Sequence, residues 1–201
     1  MKLTTKQLQK HFNVDYYDGS IIHDRFAYKV FRNTVSPLGN IIAFRSKCEV
    51  TDNLIDLEDA LKQDYIYSDD MVHFCYEIPN LPLFGGVCFQ RLFNTYIGGL
   101  LGEIIQSPVE VDGDDIFVKQ PFTRNGTTMD AGKASVSIVG EKNGALLGHV
   151  GINVSAGNTA PVFAYSTNMT DEQVDMFIDK VCEQFVYMLR DIFVATTKIV
   201  L

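Results

Sequence analysis

A lysine at the start of a strand-like segment is the first residue in this sequence that could do chemistry. Lys133 follows Gly132 and leads into the small-residue run 134–137, Ala-Ser-Val-Ser. An ammonium group at the mouth of an apolar strand can neutralise a phosphate or carboxylate and can stabilise negative charge that develops during a reaction. Taken alone, the spacing favours the alternative, which is a solvated lysine in a turn.

Two arginines stand in apolar surroundings. Arg45 ends a strand-like segment, and Arg91 lies near the start of a long helical stripe. The planar guanidinium offers a fixed pair of donors that suits carboxylates, phosphates and the edge of a guanine. We therefore expect both arginines to orient a substrate. The alternative is a structural salt bridge to the acidic segment 56–59.

A histidine and a glutamate share one face of a predicted strand. His73 and Glu77 are four residues apart, and the period of two in a strand puts them on the same side. A histidine paired with a carboxylate can act as a general base, so His73 is a candidate catalytic residue. The alternative is a half-buried structural histidine. His149 is either a ligand contact or a polar residue on a sheet face.

An acidic turn precedes another predicted strand. Asp112, Gly113, Asp114 and Asp115 lack the Asp-x-Asp-x-Asp-Gly order and the distal glutamate of a calcium loop, so we predict no metal site there. The segment is typical of a turn. Asp115 remains a candidate for binding a ribose or the edge of a base.

These residues must be positioned by strands and by two long helices. Strand-like runs occupy 40–45 and 71–78, and three more lie within 112–155. Ser68-Asp69-Asp70 is predicted to form a turn. Pro79 is predicted to end the strand that occupies 71–78. Strands followed by segregated helices indicate a single α+β domain, 1–201, with a mixed or antiparallel sheet backed by two long helices.

The helical segments differ in clarity. Apolar residues repeat at helical spacing over 89–105, where closely spaced glycines suggest tight packing against the sheet, and over 174–192 after a Thr170 cap with Gln173. A short acidic helix is predicted around Leu54, Leu57 and Leu61 with Thr51 or Asp52 as its N-cap. The run 25–31 is compatible with a helix or a strand. The residues before Ser20 are expected to pack loosely or to pair at an edge.

Composition limits the class of protein. The chain has 201 residues and a net charge of −8, which argues against a broad nucleic-acid surface. Its four cysteines show no metal-ligand spacing and are expected to be thiols of a reducing compartment. With a polar start and no apolar run of membrane-spanning length, the expectation is a cytoplasmic protein, in the host cytoplasm if it is viral.

Over most of its length the sequence resembles a small archaeal and viral family known as domain of unknown function 366. Order and spacing agree from about residue 25 to the end. The family's role is poorly described, so this resemblance implies little about activity. The segments that carry it are 25–28, 43–45, 55–59, 69–74, 90–93, 113–118, 133–138 and 151–154.

A more remote resemblance, over roughly 89–155, is to the catalytic domain of biotin and lipoate protein ligases. In those ligases an Asn-Asp pair precedes a strand, a Gly-Lys-Lys-like turn follows, and a Gly-Ile-Asn-Val strand lines the nucleotide. The matching positions here are 114–115, 132–133 and 151–154. The resemblance implies the same α+β fold.

The ligase resemblance also implies roles for single residues. Lys133 would contact a carboxylate and a phosphate, while Asn153 and Asp115 would line the pocket with Gly132 beside them. The sequence departs from the ligases in having no tryptophan and no Gly-Arg-rich loop to fold over an adenylate. Fold likeness therefore extends further than adenylation chemistry, and fold alone does not give function.

The leading hypothesis is a group-transfer enzyme that acts on a small acyl, nucleotide or nucleobase substrate. Its narrowest form is methyl or formyl transfer to a 7-deazaguanine derivative in DNA modification. The cofactor is left open between ATP and S-adenosylmethionine. The alternatives are a non-catalytic ligand-binding module and a homo-oligomeric scaffold joined through the apolar tail 192–201.

Overall fold

The centre of the molecule is a four-stranded antiparallel sheet, in which the strands lie side by side in the order Asn40–Val50 (β1), Ile66–Pro79 (β2), Ala145–Ser155 (β9) and Ser135–Lys142 (β8). The computed structural model describes residues 1–62 and 64–199.

Two long helices cover one face of the sheet. They are α4, Leu83–Ile105, and α5, Asp171–Thr196. Alternate side chains of β2, such as Phe74 and Tyr76, pack against them in the main hydrophobic core. The predicted α+β fold is confirmed. Within the two described ranges, no helix is long and apolar enough to cross a membrane.

Glycine permits a close approach between α4 and its neighbours. A Cβ atom on Gly98 would lie 2.5 Å from Cγ2 of Val111, so only glycine fits there without a shift. Gly99, by contrast, faces open space. The predicted tight packing therefore holds for Gly98 and does not hold for Gly99.

The N-terminal segment covers the other face of the sheet. It contains α1, Thr5–Phe12, and α2, Ala27–Phe31. The run 25–31, for which the sequence allowed a helix or a strand, therefore forms a short helix. The Tyr17 N–H donates to the carbonyl of Lys47, and the Tyr17 carbonyl accepts from Glu49 N–H, each within 3.0 Å. Tyr17 is only 3% exposed, so the opening residues are part of a second core and do not pack loosely.

Glu77 fixes the start of α2. Its Oε2 accepts from the N–H groups of Phe26 and Ala27, at 2.8 and 2.9 Å, and its Oε1 accepts from Arg25. The predicted pairing of His73 with Glu77 is therefore wrong, because the carboxylate satisfies helix N–H groups that would otherwise be buried without a partner.

The segment 68–70 is a strand and not the predicted turn. β2 begins at Ile66, and its pairing with β9 shifts register between Asp70 and Met71. The Ser68 hydroxyl donates to the carbonyls of Asp70 and Ser155, so its polar side chain supports a bulge.

The short acidic helix begins later than predicted. α3 spans Leu57–Lys62, and Asp56 Oδ1 accepts from the N–H groups of Glu58 and Asp59. Asp56, and not Thr51 or Asp52, therefore caps this helix.

A smaller sheet lies beside the main one, in the order β3-β4-β7. Ala134 joins the two sheets, since its N–H donates to Ile116 at 2.8 Å and its carbonyl accepts from Asn153 N–H at 2.9 Å. The predicted middle strand is consequently split between β7 and β8. The smaller strands are β3 Val109–Asp112, β4 Asp115–Val118, β5 Phe122–Arg124, β6 Thr127–Met129 and β7 Gly132–Lys133.

Candidate functional site

A cavity of about 570 Å³ lies where the main sheet, the smaller sheet and the segment around α3 meet. Val136 and Ile138 of β8 and His149 and Asn153 of β9 form its floor. These four side chains share one face of the sheet, opposite the long helices, because they alternate with residues that pack in the main core.

Lys133 and Asp115 meet at the edge of this cavity. Lys133 Nζ lies 2.7 Å from Asp115 Oδ1, and the two side chains are 27% and 30% exposed. The backbone of Lys133 is fixed on both sides, because its N–H donates to Phe163 and its carbonyl accepts from Tyr165, both at 2.8 Å. Both of these predicted residues line the cavity, as does Asn153.

Carboxylates dominate the charge of the lining. Among the described lining residues, Lys133 is the one cationic side chain. Burial raises the pKa of Asp59, the neighbouring Asp56 and Asp64 raise it further, and Lys133 opposes them. Sequence reasoning treated Asp59 only as a salt-bridge partner. The acidic lining residues are Asp56, Glu58, Asp59, Asp64, Asp114 and Asp115.

Two buried histidines contact each other at the cavity floor, and one of them lies beneath it. His73 Nδ1 is 3.0 Å from His149 Nε2, and Tyr17 stacks on the His149 ring with centroids 4.0 Å apart. Burial lowers the pKa of His73 to about 3, and burial lowers the pKa of His149 well below its usual value. Both rings are therefore neutral near pH 7. His149 lines the cavity together with Tyr17, whereas His73 is fully buried beneath them.

The sequence did not identify Tyr17 as a site residue, because the residues that it contacts belong to strands far along the chain. Burial raises the pKa of the Tyr17 phenol well above its usual value, with smaller contributions from Cys75 and Cys48. Its hydroxyl is therefore protonated at neutral pH.

Asn153 has a fixed backbone and a free side chain. Its carbonyl accepts from the N–H and the hydroxyl of Thr167, at 3.1 and 2.6 Å. Asn153 is only 4% exposed, and its side-chain amide has no hydrogen-bond partner within residues 1–62 and 64–199. The amide is therefore available to a bound molecule.

Gly132 has a packing role. A Cβ atom there would lie 2.5 Å from Cε1 of Phe122 and 2.8 Å from Cβ of Tyr165. Gly132 is buried and does not line the cavity, although it was predicted to bind substrate. Its absent side chain lets β7 pass between two aromatic residues and carry Lys133 to the cavity.

The two predicted arginines lie outside the cavity lining and form ion pairs. Arg45 contacts Asp70 and Asp171, each at 2.6 Å, and these carboxylates raise the pKa of its guanidinium. Arg91 lies 3.2 Å from Asp114. The structure thus gives both arginines structural salt bridges, and neither uses the acidic segment 56–59.

A third arginine shapes the cavity wall. The guanidinium of Arg124 donates to the carbonyls of Gly157, Ala160 and Ala164. These bonds hold the loop that supplies Phe163 to the lining. Arg124 was not predicted as a site residue, because its partners lie more than thirty residues away.

Solved structures show the same fold. A protein of unknown function from Pyrococcus horikoshi is similar over 92% of this chain and 92% of its own, with 26% identity and a TM-score of 0.76. A putative lipoate protein ligase from Thermoplasma acidophilum with bound lipoic acid matches over 84% of this chain and 80% of its own, with 12% identity and a TM-score of 0.53.

A bipartite lipoate protein ligase from the same organism matches over 84% of this chain and 78% of its own, with 10% identity and a TM-score of 0.52. The chain therefore shares its fold with these lipoate protein ligases. No curated protein sequence matches the chain. The family model "Domain of unknown function (DUF366)" matches residues 6–200, and the chain belongs to this family.

Proposed function

We propose that this protein is a group-transfer enzyme whose cavity holds a small, nucleobase-containing substrate. The observation that carries the proposal is the convergence of Lys133, Asp115 and Asn153, from three different strands, on a space of about 570 Å³. This volume is typical of small-molecule sites. The ligase-like fold supports a small-molecule ligand, since a solved structure of similar fold carries lipoic acid.

The charge of the lining favours one class of substrate over the others. Two like charges about 4 Å apart repel by about 4 kcal/mol at an effective dielectric constant near 20. Of the six lining carboxylates, Asp115 pairs with Lys133, Asp114 with Arg91 and Glu58 with Lys62. Asp56, Asp59 and Asp64 have no ion pair within the described residues, so the lining keeps an excess of negative charge. An acyl anion or a polyphosphate is thus disfavoured, and an uncharged or cationic molecule is favoured.

The same charges distinguish between the two cofactors under consideration. The lining does not fit the triphosphate of ATP, so we propose no adenylation step. It fits S-adenosylmethionine, which carries a sulfonium, an ammonium and one carboxylate and so has a net positive charge. That cofactor supplies a methyl group when bound. Asp64 and Asp56 are the residues placed to hold its cationic part.

The lining residues have distinct proposed roles. Lys133 holds a carbonyl oxygen of the substrate and stabilises the charge that develops on it. Asp59, whose pKa is raised, takes the proton that a substrate nitrogen loses when it accepts the transferred group. Asn153 donates and accepts hydrogen bonds at the same end of the substrate. His73 acts only through His149, since it does not reach the cavity.

A thermal-shift screen tests this proposal. We expect guanine, 7-deazaguanine bases, nucleosides and S-adenosylmethionine to raise the melting midpoint, and ATP, biotin and lipoate to leave it unchanged. A ligand at about 100 times its Kd adds about 2.7 kcal/mol to the stability. If only lipoate or biotin raises the melting midpoint, the argument that the acidic lining disfavours anionic ligands is wrong. No shift with any compound would reject the proposed substrate class.

The narrowest form of the proposal is methyl transfer from S-adenosylmethionine to a 7-deazaguanine derivative for DNA. Formyl transfer, the other form considered from the sequence, would need a separate formyl donor and is not proposed. The test of methyl transfer compares the modified nucleosides of DNA from cells with and without the protein. If the two samples contain the same nucleosides, modification of a 7-deazaguanine in DNA is rejected. The broader proposal, a group-transfer enzyme for a small nucleobase-containing substrate, would be unaffected.

A non-catalytic binding module is the second candidate. Within the described residues, the lining contains no cysteine that could serve as a nucleophile. Ligand-induced stabilisation without any transfer to the bound substrate would favour this candidate.

We also propose that copies associate through the end of α5. Phe193 is 53% exposed and Ile192 is 41% exposed. Val200 and Leu201, which were part of the predicted interface, lie outside the described residues. We expect Phe193→Glu to convert an oligomer to a monomer on size-exclusion chromatography, while Met176→Glu on the same helix leaves it intact. An unchanged oligomer in Phe193→Glu would reject this interface.

A further inference from the structure

The buried histidine pair has a defined hydrogen-bond direction. His73 Nε2 lies 3.3 Å from the carbonyl oxygen of Ser46, and its Nδ1 lies 3.0 Å from His149 Nε2. Phe44 and Tyr17 stack on the two rings, with centroids 4.8 Å from His73 and 4.0 Å from His149. The rings are held on their faces by aromatic groups and on their edges by hydrogen bonds.

The Ser46 carbonyl decides which nitrogens carry protons. A carbonyl oxygen only accepts, so His73 must carry its proton on Nε2. Burial keeps His73 neutral, and its Nδ1 is therefore an acceptor. His149 must then donate from Nε2. Because burial keeps His149 neutral as well, its Nδ1 is left with a free lone pair.

Three buried polar groups in the lining lack protein partners. In the described part of the chain, none of the hydrogen bonds involves Nδ1 of His149, the hydroxyl of Tyr17 or the side-chain amide of Asn153. All three residues line the cavity and are no more than 4% exposed. None of the three is among the fully enclosed polar atoms without a partner, which in the described residues are Tyr76 Oη and Arg124 Nε, so they open onto the cavity and can contact a ligand there.

We propose that His149 accepts a hydrogen bond from an N–H group of the ligand, and that His73 is a positioning residue that fixes His149 in the accepting form. This inference rests on the proposed function in that it uses the same cavity. It narrows the substrate class to nitrogen heterocycles with a ring N–H. A ligand that offers a carbonyl, carboxylate or phosphate to His149 would place one acceptor against another.

The inference also orients the ligand. His149 and Asn153 are four residues apart on β9, which corresponds to roughly 13 Å along the strand. Asn153 is bonded to Ala134, next to Lys133, at the more exposed end of the cavity. The heterocyclic N–H therefore lies at the inner end, and the part of the ligand that reacts lies near Lys133. A molecule that reaches both ends is longer than a single ring.

The protonation pattern can be measured without any ligand. Two-bond nitrogen–proton correlation spectra of isotopically labelled protein distinguish protonated from bare imidazole nitrogens. We expect both His73 and His149 to be protonated on Nε2 and bare on Nδ1. A proton on His149 Nδ1 would overturn the inference, whatever the protein is later found to catalyse.

Two variants test the positioning role of His73. In His73→Gln the amide oxygen can still accept from His149, so we expect His149 to keep its proton on Nε2. In His73→Phe that acceptor is lost, and we expect His149 to populate both tautomers. A single unchanged tautomer in His73→Phe would reject the role. If His73→Phe does not fold, a changed tautomer in folded His73→Gln would reject it equally.

A matched pair of probes tests recognition. 2-Pyridone has one ring N–H, and N-methyl-2-pyridone has none. We expect 2-pyridone to shift the His149 nitrogen signals and to bind at least tenfold more tightly than its methylated partner. Equal affinity, or no effect of 2-pyridone on His149, would overturn the inference. Failure of the transfer reaction with this recognition intact would instead reject the proposed function alone.

Discussion

Acidification from pH 7 to pH 5 is expected to lower the free energy of unfolding by roughly 2 kcal/mol through the buried His73 alone. The buried His149, whose pKa is also lowered, should act in the same direction. Burial lowers the pKa of His73 to about 3 in the folded protein, whereas an unfolded histidine titrates near 6.5. Between these values the unfolded chain binds a proton that the folded chain does not. The stability contribution is therefore complete above about pH 6.5 and is lost as the pH falls toward about 3.

Denaturant unfolding at several pH values checks this expectation. Most carboxylates stay ionised down to about pH 5, so the interval from 7 to 5 isolates the histidines. The slope of stability against pH is at most about 1.4 kcal/mol per pH unit for each group. His73→Gln should reduce this slope by up to about 1.4 kcal/mol per pH unit, which is the contribution of one proton. An unchanged slope in His73→Gln would show that the pair is not responsible.

Replacement of Lys133 by alanine is expected to abolish detectable transfer and to weaken ligand binding at least tenfold. Removal of one group that stabilises developing charge commonly costs a factor of about 100 to 1,000 in rate. The cost in folding stability should be small, because the Lys133–Asp115 pair is partly exposed and such pairs contribute about 0–1 kcal/mol.

Lys119→Ala is the matched control for this experiment. Lys119 also pairs with a carboxylate, Glu110, at 2.8 Å, but it does not line the cavity. We expect this variant to bind and react as the wild type does. If Lys133→Ala retains full transfer, the proposed role of the lysine is wrong. A loss of stability much greater than that of Lys119→Ala would indicate a structural role.

The elements that the sequence determined are those that depend on neighbours along the chain. The α+β class and the two long helices follow from local periodicity. The Thr170 cap is present as predicted, with Gln173 completing the reciprocal pair of hydrogen bonds. The hairpin turn between β8 and β9 is likewise local, because Asn143 and Gly144 form the Asn-Gly pair that such turns favour, with positive φ of 52° and 71°.

The site was only partly accessible from the sequence. Lys133, Asp115 and Asn153 were named through the ligase resemblance, and all three line the cavity. Their convergence depends on the junction at Ala134, which bonds to β4 on one side and to β9 on the other. No local pattern encodes such a junction, because its partners are distant in the chain.

Tertiary structure alone decided which histidine reaches the cavity. His73 and His149 both alternate onto the same face of the sheet. The sequence favoured His73 as the general base and left His149 open between a ligand contact and a polar residue on a sheet face. The register between β2 and β9, the position of Tyr17 over His149, and the carbonyl of Ser46 distinguish them. Burial then sets the charge of both rings. Spacing along the chain determines which residues can share a face, whereas desolvation and hydrogen bonding depend on segments that meet only in the folded protein.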